Sequence, residues 1–209
     1  ATFNVSYNTV YLDGTSAGQT YCLYMGGATV NVPNVNPINN IFVNNVTSSN
    51  GALMPNTVYF RLGVTNATNL LSTANNNLLF AGAPGVDHLI YVDGAVNGLT
   101  NPQQTLVDYQ TLVTTRENVS QTELPPFLNT TDGSLATYLH ITPSVATLVN
   151  NNGKNVAGIL DDYDAEARHP ATPDIGADEI DAFTGGNVSI TKVADAATVN
   201  FGSQVGYTV

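Results

Sequence analysis

Residues 161–180 read DDYDAEARHPATPDIGADEI and form the densest concentration of charge in the chain. Three carboxylates, Asp161, Asp162 and Asp164, stand close in sequence to Arg168, one of only five lysine and arginine residues. An arginine can bind a carboxylate through two parallel hydrogen bonds. The pattern therefore predicts a polar turn closed by an arginine–carboxylate fork.

Two prolines follow the charged residues. Pro170 and Pro173 would interrupt a helix and favour extended backbone in the residues before them. An apolar run then resumes over residues 174–180. We therefore expect these residues to form the last strand of the main domain.

The same stretch resembles the C-terminal closure of bacterial surface proteins that fold as right-handed parallel β-helices. The residues that carry the resemblance form an Asp-rich loop, an arginine and a Pro-Asp-Ile-Gly-Ala-Asp-Glu phrase, namely Asp161, Asp162, Asp164, Arg168, Pro173, Asp174, Ile175, Gly176, Ala177, Asp178 and Glu179. The resemblance implies an all-β fold, a right-handed single-stranded parallel β-helix of the pectate-lyase-like kind. It also implies structural roles for Arg168, Asp174 and Glu179, and it indicates architecture more strongly than function.

Composition supports a β-rich chain. Hydrophobic residues make up 43% of the 209 residues and charged residues only 10%. The apolar residues occur in short runs rich in Val, Thr, Tyr and Phe, punctuated by Asn and Gly, which is typical of strands and turns. None of these runs is long enough for a membrane-spanning helix.

Charge and cysteine content limit the partners. A formal net charge of −11 disfavours nucleic acid and anionic membranes, because few basic residues could neutralise phosphates. A carbohydrate, a divalent cation or another protein stays open. The single cysteine, Cys22, excludes an internal disulfide, and we interpret it as a buried, inert thiol. The chain starts directly in strand-like sequence, which we interpret as a mature chain or a fragment.

Three segments repeat one pattern in which asparagine precedes bulky apolar residues: Asn8–Leu12, Asn39–Val43 and Asn76–Phe80. Their spacing is typical of stacked structural repeats. Further strands are predicted between and after them, at Tyr21–Tyr24, Ala28–Val32, Thr57–Leu62 and Leu89–Val92. Residues 32–37 and 44–56 are predicted to be projecting loops.

Stacking would explain both the apolar residues and the asparagines. One repeat cannot bury its own apolar side chains, whereas stacked parallel repeats bury them in a continuous core. Asparagine tolerates left-handed backbone and can bind the asparagines above and below it. We therefore predict an internal ladder of Asn8, Asn39 and Asn76. The alternative is that these asparagines lie in hairpin turns of a β-sandwich.

The sequence changes character after the third repeat. Residues 100–113 predict a short helix that begins near Thr100 and Pro102 and buries one apolar face. Residues 138–141 predict a strand, and residues 142–149 a second helical turn. These segments would cover the open end of the stack. We place the repeats in residues 1–98 and the last coil and cap in residues 99–183.

The tail differs from the body. Gly185 and Gly186 form a predicted linker, and Asn187–Val209 alternates like two strands. The tail resembles the opening of a repeated immunoglobulin-like module of bacterial surfaces. Two strands cannot form a sandwich, so residues 184–209 are interpreted as a linker and a truncated module.

Catalytic motifs are missing from the sequence. It contains no nucleophile elbow, no His-Glu-x-x-His motif and no phosphate-binding glycine loop. Asp13 is the single carboxylate side chain in residues 1–80, whereas sugar-cleaving sites need paired carboxylates, or calcium with a basic residue. His88, His140 and His169 are scattered and are interpreted as packing or solvated residues.

Two weaker candidates remain. Asp161, Asp162 and Asp164 could bind calcium through their hard oxygen ligands, although a closing turn held by Arg168 is favoured. Tyrosines in the predicted strands could include an exposed row that stacks on sugars, although half-buried positions are favoured; these are Tyr7, Tyr11, Tyr21, Tyr24 and Tyr59.

Two functions follow from these observations. The first is a non-catalytic structural or adhesive module of the cell surface, which could form filaments through its C-terminal strands or coil ends. Its partners would be other copies of itself or other domains of a longer surface protein. The alternative is a β-helix domain that binds carbohydrate or degrades polysaccharide.

Overall fold

The computed structural model describes residues 1–26, 33–50, 55–62, 69–95 and 98–180, together with residues 193–194 and 207–208. Within this part of the chain the fold is mainly β, with one α-helix. The elements in chain order are β1 Thr2–Ser6, β2 Thr9–Leu12, β3 Thr15–Ser16, β4 Thr20–Met25, β5 Asn34–Ile38, β6 Ile41–Asn44, β7 Thr47–Ser48, β8 Asn56–Leu62, β9 Leu78–Phe80, β10 His88–Ala95, β11 Gly98–Gln103, α1 Leu106–Val113, β12 Val193–Ala194 and β13 Tyr207–Thr208.

Equivalent strands of successive repeats pair in parallel. We call β1–β4 the first repeat and β5–β8 the second repeat. The pairs are β1 with β5, β2 with β6 and then β9, β3 with β7, and β4 with β8 and then β10. Thr9 therefore lies beside Ile41, which lies beside Leu78. The described antiparallel pairs of strands are β10 with β11 and β12 with β13.

The sheet β2–β6–β9 is buried on both faces. Side chains on a strand alternate between the two faces of a sheet. Phe42 and Leu79 belong to a core cluster that also contains Tyr59 of β8. Their neighbours Ile41 and Leu78 belong to a second cluster on the other face. Other segments of the chain, outside the stacked repeats, are therefore needed to cover both faces of this sheet.

Helix α1 packs on the first of these clusters. Thr105 caps the helix, and its side-chain oxygen accepts the Asp108 N–H at 3.1 Å. Leu106, Tyr109 and Val113 lie on one helix face and join the cluster. The expected apolar face of this helix is therefore confirmed.

The segment from residue 125 to residue 180 covers the second face of β2–β6–β9. Ile141, Val149 and Ile175 pack into the same cluster as Ile41 and Leu78. Backbone hydrogen bonds fix the segment there, because Gly176 N–H donates to the Asn39 carbonyl at 2.8 Å.

The strands predicted at Tyr21–Tyr24, Thr57–Leu62 and Leu89–Val92 are confirmed by β4, β8 and β10. The predicted loop 32–37 is wrong over the described positions 34–37, since β5 occupies them. Pro37 is accommodated in that strand, and its carbonyl accepts the Asn75 N–H at 3.2 Å.

The predicted helix over residues 100–113 begins too early. Gly98–Gln103 forms β11, which pairs with β10, so the helix starts only at Leu106. A pairing partner earlier in the chain overrides the local helical pattern.

Three other expected elements of the C-terminal segment do not form. Residues 138–141 make only isolated bridges, Phe127 with Ile141 and Asn129 with Tyr138. Residues 142–149 form turns, and residues 174–180 form an irregular segment. Side-chain hydrogen bonds hold this backbone in place of a strand ladder.

The tail is described only at its two short strands, β12 and β13, which pair antiparallel. The strand predicted at residues 28–32 and the linker at Gly185 and Gly186 lie outside the described residues. In the part of the chain that the structure describes, no helix is long and apolar enough to cross a membrane.

Candidate functional site

An asparagine ladder runs through one corner of the stacked repeats. Asn8 donates from Nδ2 to Asn40 Oδ1 at 2.9 Å, 32 residues along the chain. Asn40 donates in the same way to Asn77 Oδ1 at 2.9 Å, 37 residues further on. The backbone N–H of Asn77 donates to Ser120 Oγ at 2.9 Å. Asn40 and Asn77 are fully buried, so the ladder satisfies polar groups inside the fold.

Two of the three asparagines predicted for this ladder occupy the adjacent position. Asn39 and Asn76 directly precede the ladder residues and adopt left-handed backbone, with φ of 59° and 56°. Asn39 Oδ1 accepts the Lys154 N–H at 2.8 Å, and Asn76 Nδ2 donates to the Asn152 carbonyl at 2.9 Å. They tie the C-terminal segment to the repeats.

Glu117 ends the ladder and was not singled out by the sequence as a site residue. Its carboxylate accepts hydrogen bonds from Asn77 Nδ2 at 2.9 Å and from the Ser120 hydroxyl. The Tyr59 hydroxyl lies 3.5 Å away. Burial raises the pKa of Glu117 to about 7, although these hydrogen bonds act to lower it. A protonated carboxyl can therefore persist in the folded chain near neutral pH.

Arg168 holds the C-terminal closure together. Its Nη1 lies 3.3 Å from Glu179 Oε2, and its Nη2 donates to the carbonyls of Gly176 and Ala177 at 3.1 and 2.9 Å. The guanidinium carbon lies 4.0 Å from the centre of the Tyr7 ring, a cation–π contact. The arginine thus contacts one carboxylate and two carbonyls instead of forming the expected fork with the aspartates near it in sequence.

The side-chain carboxylates of Asp174 and Glu179 accept hydrogen bonds from backbone amides. Asp174 accepts the N–H of Asn151 at 2.6 Å and that of Ile180 at 2.7 Å. Glu179 accepts the N–H of His169 at 2.8 Å and that of Asp174 at 2.9 Å. Burial raises the pKa of Asp174 to about 6, against the two amides, which lower it. These carboxylates replace the missing strand ladder.

The candidate calcium ligands separate into two environments. Ligand atoms of Asp162, Asp164 and Glu166 lie within 4.8 Å of one another. Asp161 is not part of this group and instead bridges to Ala167 in the antiparallel sense. The three grouped carboxylates supply the hard oxygen ligands that calcium prefers.

Asp162 already organises the loop. Its Oδ1 accepts the N–H groups of Asp164 and Glu166 at 3.2 and 2.8 Å, and its Oδ2 accepts the Glu179 N–H at 2.9 Å. Burial acts to raise the pKa of Asp162, but these hydrogen bonds outweigh it and hold the pKa below its usual value. The observed contacts therefore describe a closing turn.

His140 lies among acidic groups, which sequence reasoning missed. Its Nδ1 lies 3.0 Å from Asp178 Oδ1 and its Nε2 lies 3.7 Å from Asp164 Oδ2. The Tyr163 hydroxyl also contacts Nε2. Asp178 is itself buried, and it accepts the Ile141 N–H at 2.9 Å. Burial raises the pKa of Asp178, while the Ile141 amide and His140 lower it.

The five tyrosines for which an exposed sugar-stacking row was the less favoured interpretation do not share one exposed surface. Tyr7 and Tyr59 are buried, with 7% and 0% of their surface exposed, whereas Tyr24 is 50% exposed. Tyr24 stacks on Phe60 of the neighbouring strand with 5.4 Å between ring centres.

No protein-family model matches the chain, and no curated protein or solved structure matches it either. The resemblance to β-helical surface proteins therefore stays a prediction from the residues that carry it.

Proposed function

We propose that the chain is a non-catalytic structural or adhesive module of the cell surface, built on a right-handed single-stranded parallel β-helix. In this proposal each repeat is one coil, and the ladder of Asn8, Asn40 and Asn77 lines one corner. Its partners are other copies of itself or other domains of a longer surface protein.

The observation that carries the proposal is the repeated parallel register. Residues at equivalent positions of successive parallel strands lie beside one another. Val10 pairs with Phe42, and Phe42 pairs with Leu79. Such stacking produces a rod whose stability comes from contacts between adjacent repeats. A rod with a continuous core suits display or assembly, and the resemblance to surface proteins supports an extracellular location.

In this proposal the outer edge of the first repeat joins another copy of the chain or another domain of a longer surface protein. Each of its four strands has one described strand neighbour, in the second repeat. Val10 and Leu23 are only partly buried, whereas their register partners Phe42 and Tyr59 are 2% and 0% exposed. A sheet edge with unpaired backbone groups and accessible apolar side chains can accept a further strand.

The C-terminal strands offer a second route to assembly. β12 and β13 form a short antiparallel pair, and a two-strand ribbon alone is marginally stable in water. Pairing with another chain would bury such a ribbon, so the tail can complete a neighbouring sheet.

Light scattering and negative-stain microscopy test the assembly. The full chain and a chain without residues 187–209 are compared at matched concentrations. Assemblies that persist without the tail indicate the edge of the first repeat, and assemblies that disappear indicate the tail strands. Monomers in both preparations would contradict assembly.

Carbohydrate binding is the second candidate function. The observation that favours it is a polar cleft beside the β1–β5 pair.

A further inference from the structure

A cleft of about 690 Å³ lies beside the β1–β5 pair. The β1–β5 pair contributes the amides of Asn4 and Asn36, which we call the amide wall, together with the aliphatic side chains of Val5 and Ile38. The C-terminal segment adds Val156, Ala157 and Ile159. The cleft therefore combines amides with aliphatic groups. We call this space the amide cleft.

A second cavity, of about 320 Å³, adjoins the amide cleft and shares Ile159 with it. Its lining includes Tyr7, Arg168 and His169. We call it the arginine cavity. Each of the two spaces is of a size that suits a small organic ligand.

The amide wall is already ordered by the fold. Thr73 Oγ1 donates to Asn36 Oδ1 at 2.8 Å, and Asn36 Nδ2 donates to Asn4 Oδ1 at 3.1 Å. Asn4 and Asn36 are register partners on parallel strands. Since each carboxamide both donates and accepts hydrogen bonds, such a row can bind hydroxyl groups in either role.

Arg168 contributes to the lining of the arginine cavity. The residue is 8% exposed, and its Nε has less than 1 Å² of accessible surface. The guanidinium is therefore held by its contacts with the fold, the Glu179 carboxylate among them. Because Glu179 already neutralises the guanidinium, a ligand in this cavity need not be charged.

The chemistry of the walls narrows the class of ligand. An extended peptide usually binds by adding to a free strand edge, but β5, which carries Asn36, is flanked by β1 on one side and bridges to Leu70 on the other. A peptide that paired with β1 would shift the backbone amides of β1 alone. A polyanion would be repelled by a net charge of −11. A neutral sugar chain has hydroxyls for the amides and C–H faces for Val156 and Ile159.

We propose that the amide cleft and the arginine cavity bind a neutral oligosaccharide. This proposal rests on the second candidate function, carbohydrate binding, and assigns it a place in the fold and a class of ligand. It does not depend on assembly, since a monomer can bind a sugar and an assembled chain can fail to bind one.

The test is a titration of the full, isotope-labelled chain with cellohexaose, maltohexaose and N-acetylchitohexaose, followed by amide chemical shifts. At least one of them should bind with a Kd between micromolar and millimolar and shift amides that line the two cavities. Hexagalacturonate, an acidic chain of equal length, should bind more weakly.

Two substitutions localise the site. Asn36→Ala removes the central amide, and Ala157→Leu narrows the cleft at an exposed position. Each should weaken binding by about tenfold while circular dichroism shows an unchanged fold. Asn50→Ala, at an exposed asparagine outside both cavities, should bind as the parent does.

Three results would overturn the proposal. They are no binding of any neutral hexasaccharide at millimolar concentration, tighter binding of hexagalacturonate, and unchanged binding by both cleft variants. The first would mean that the two cavities hold only solvent.

Discussion

Asn40 is the central residue of the asparagine ladder and is hydrogen-bonded to the asparagines on both sides of it. It accepts from the backbone and side chain of Asn8 at 3.0 and 2.9 Å, and it donates to Asn77 and to the Val5 carbonyl at 2.9 and 2.8 Å. No part of its surface is exposed. Its removal would leave several buried polar groups without partners, which costs more than the bonds contribute when formed.

We therefore expect Asn40→Ala to lower the free energy of unfolding by about 3 kcal/mol. Urea unfolding followed by circular dichroism measures the loss. Asn34→Ala is the matched control, because Asn34 is an exposed asparagine in β5, and it should cost less than about 0.5 kcal/mol. Equal losses for the two variants would contradict a ladder that supports the fold.

Glu117 makes stability depend on pH. Burial raises its pKa from 4.5 to about 7, so the folded chain binds this proton more tightly than the unfolded chain. The free energy of unfolding should therefore fall as the pH rises through this window, by up to about 3 kcal/mol. Asp174, with a pKa raised to about 6, acts in the same direction over the lower part.

Glu117→Gln should reduce this fall, because the amide keeps the shape of the side chain and cannot ionise. Urea unfolding at about pH 5 and about pH 8 measures the difference. Asp132→Asn, at a fully exposed carboxylate, should retain the parent's fall. A Glu117→Gln variant with the parent's pH dependence would show that Glu117 is not the buried titrating group.

Among the elements, the C-terminal segment packs closely against the sheet β2–β6–β9 at Gly176. Its φ is +99°, and an added Cβ would lie 2.5 Å from Ile41 Cδ1 and 2.9 Å from Thr9 Oγ1. Gly158 has a similar φ of +88°, but an added Cβ would have no neighbour within 4 Å. The pair separates steric contact from backbone strain.

We expect Gly176→Ala to destabilise the chain by about 3 kcal/mol and Gly158→Ala by about 1 kcal/mol. Thermal unfolding measured by calorimetry compares them under one condition. Equal effects would mean that the C-terminal segment does not pack against β2 and β6 at this point.

Helix α1 covers the core through one face. Leu106 is 7% exposed, whereas the adjacent Val107 is 69% exposed. Leu106→Ala should therefore lower the free energy of unfolding by about 3 kcal/mol, and Val107→Ala by less than about 0.5 kcal/mol. Chemical unfolding of both variants measures these changes. A large loss of unfolding free energy in Val107→Ala would mean that the helix packs on the core through a different face.

Across the whole chain, local sequence patterns predict those strands that consist mainly of apolar residues. Thr57–Leu62 and Leu89–Val92 were recovered because they combine β-branched and aromatic residues. Residues 100–103 were assigned to a helix because their partner, β10, is fixed by the fold and not by local sequence. Asn39 and Asn76 stand in runs of asparagine, where the pattern cannot separate the ladder position from the left-handed position.

The closure was harder to predict in detail. The resemblance named Arg168, Asp174 and Glu179, and all three make hydrogen bonds within the C-terminal segment. Their partners are mostly backbone amides and carbonyls, which no residue pattern identifies. The expectation of a strand over residues 174–180 failed for the same reason.

The parallel stacking of repeats is the central claim, and disulfide formation tests it directly. Thr15 and Thr47 are exposed register partners on β3 and β7, and adjacent strands lie close enough for a disulfide. In a Cys22→Ala background, Thr15→Cys with Thr47→Cys should cross-link nearly completely on mild oxidation. The register-shifted pair Asp13→Cys with Thr47→Cys should not. Cross-linking of the shifted pair alone, or of neither pair, would contradict the stacked parallel fold.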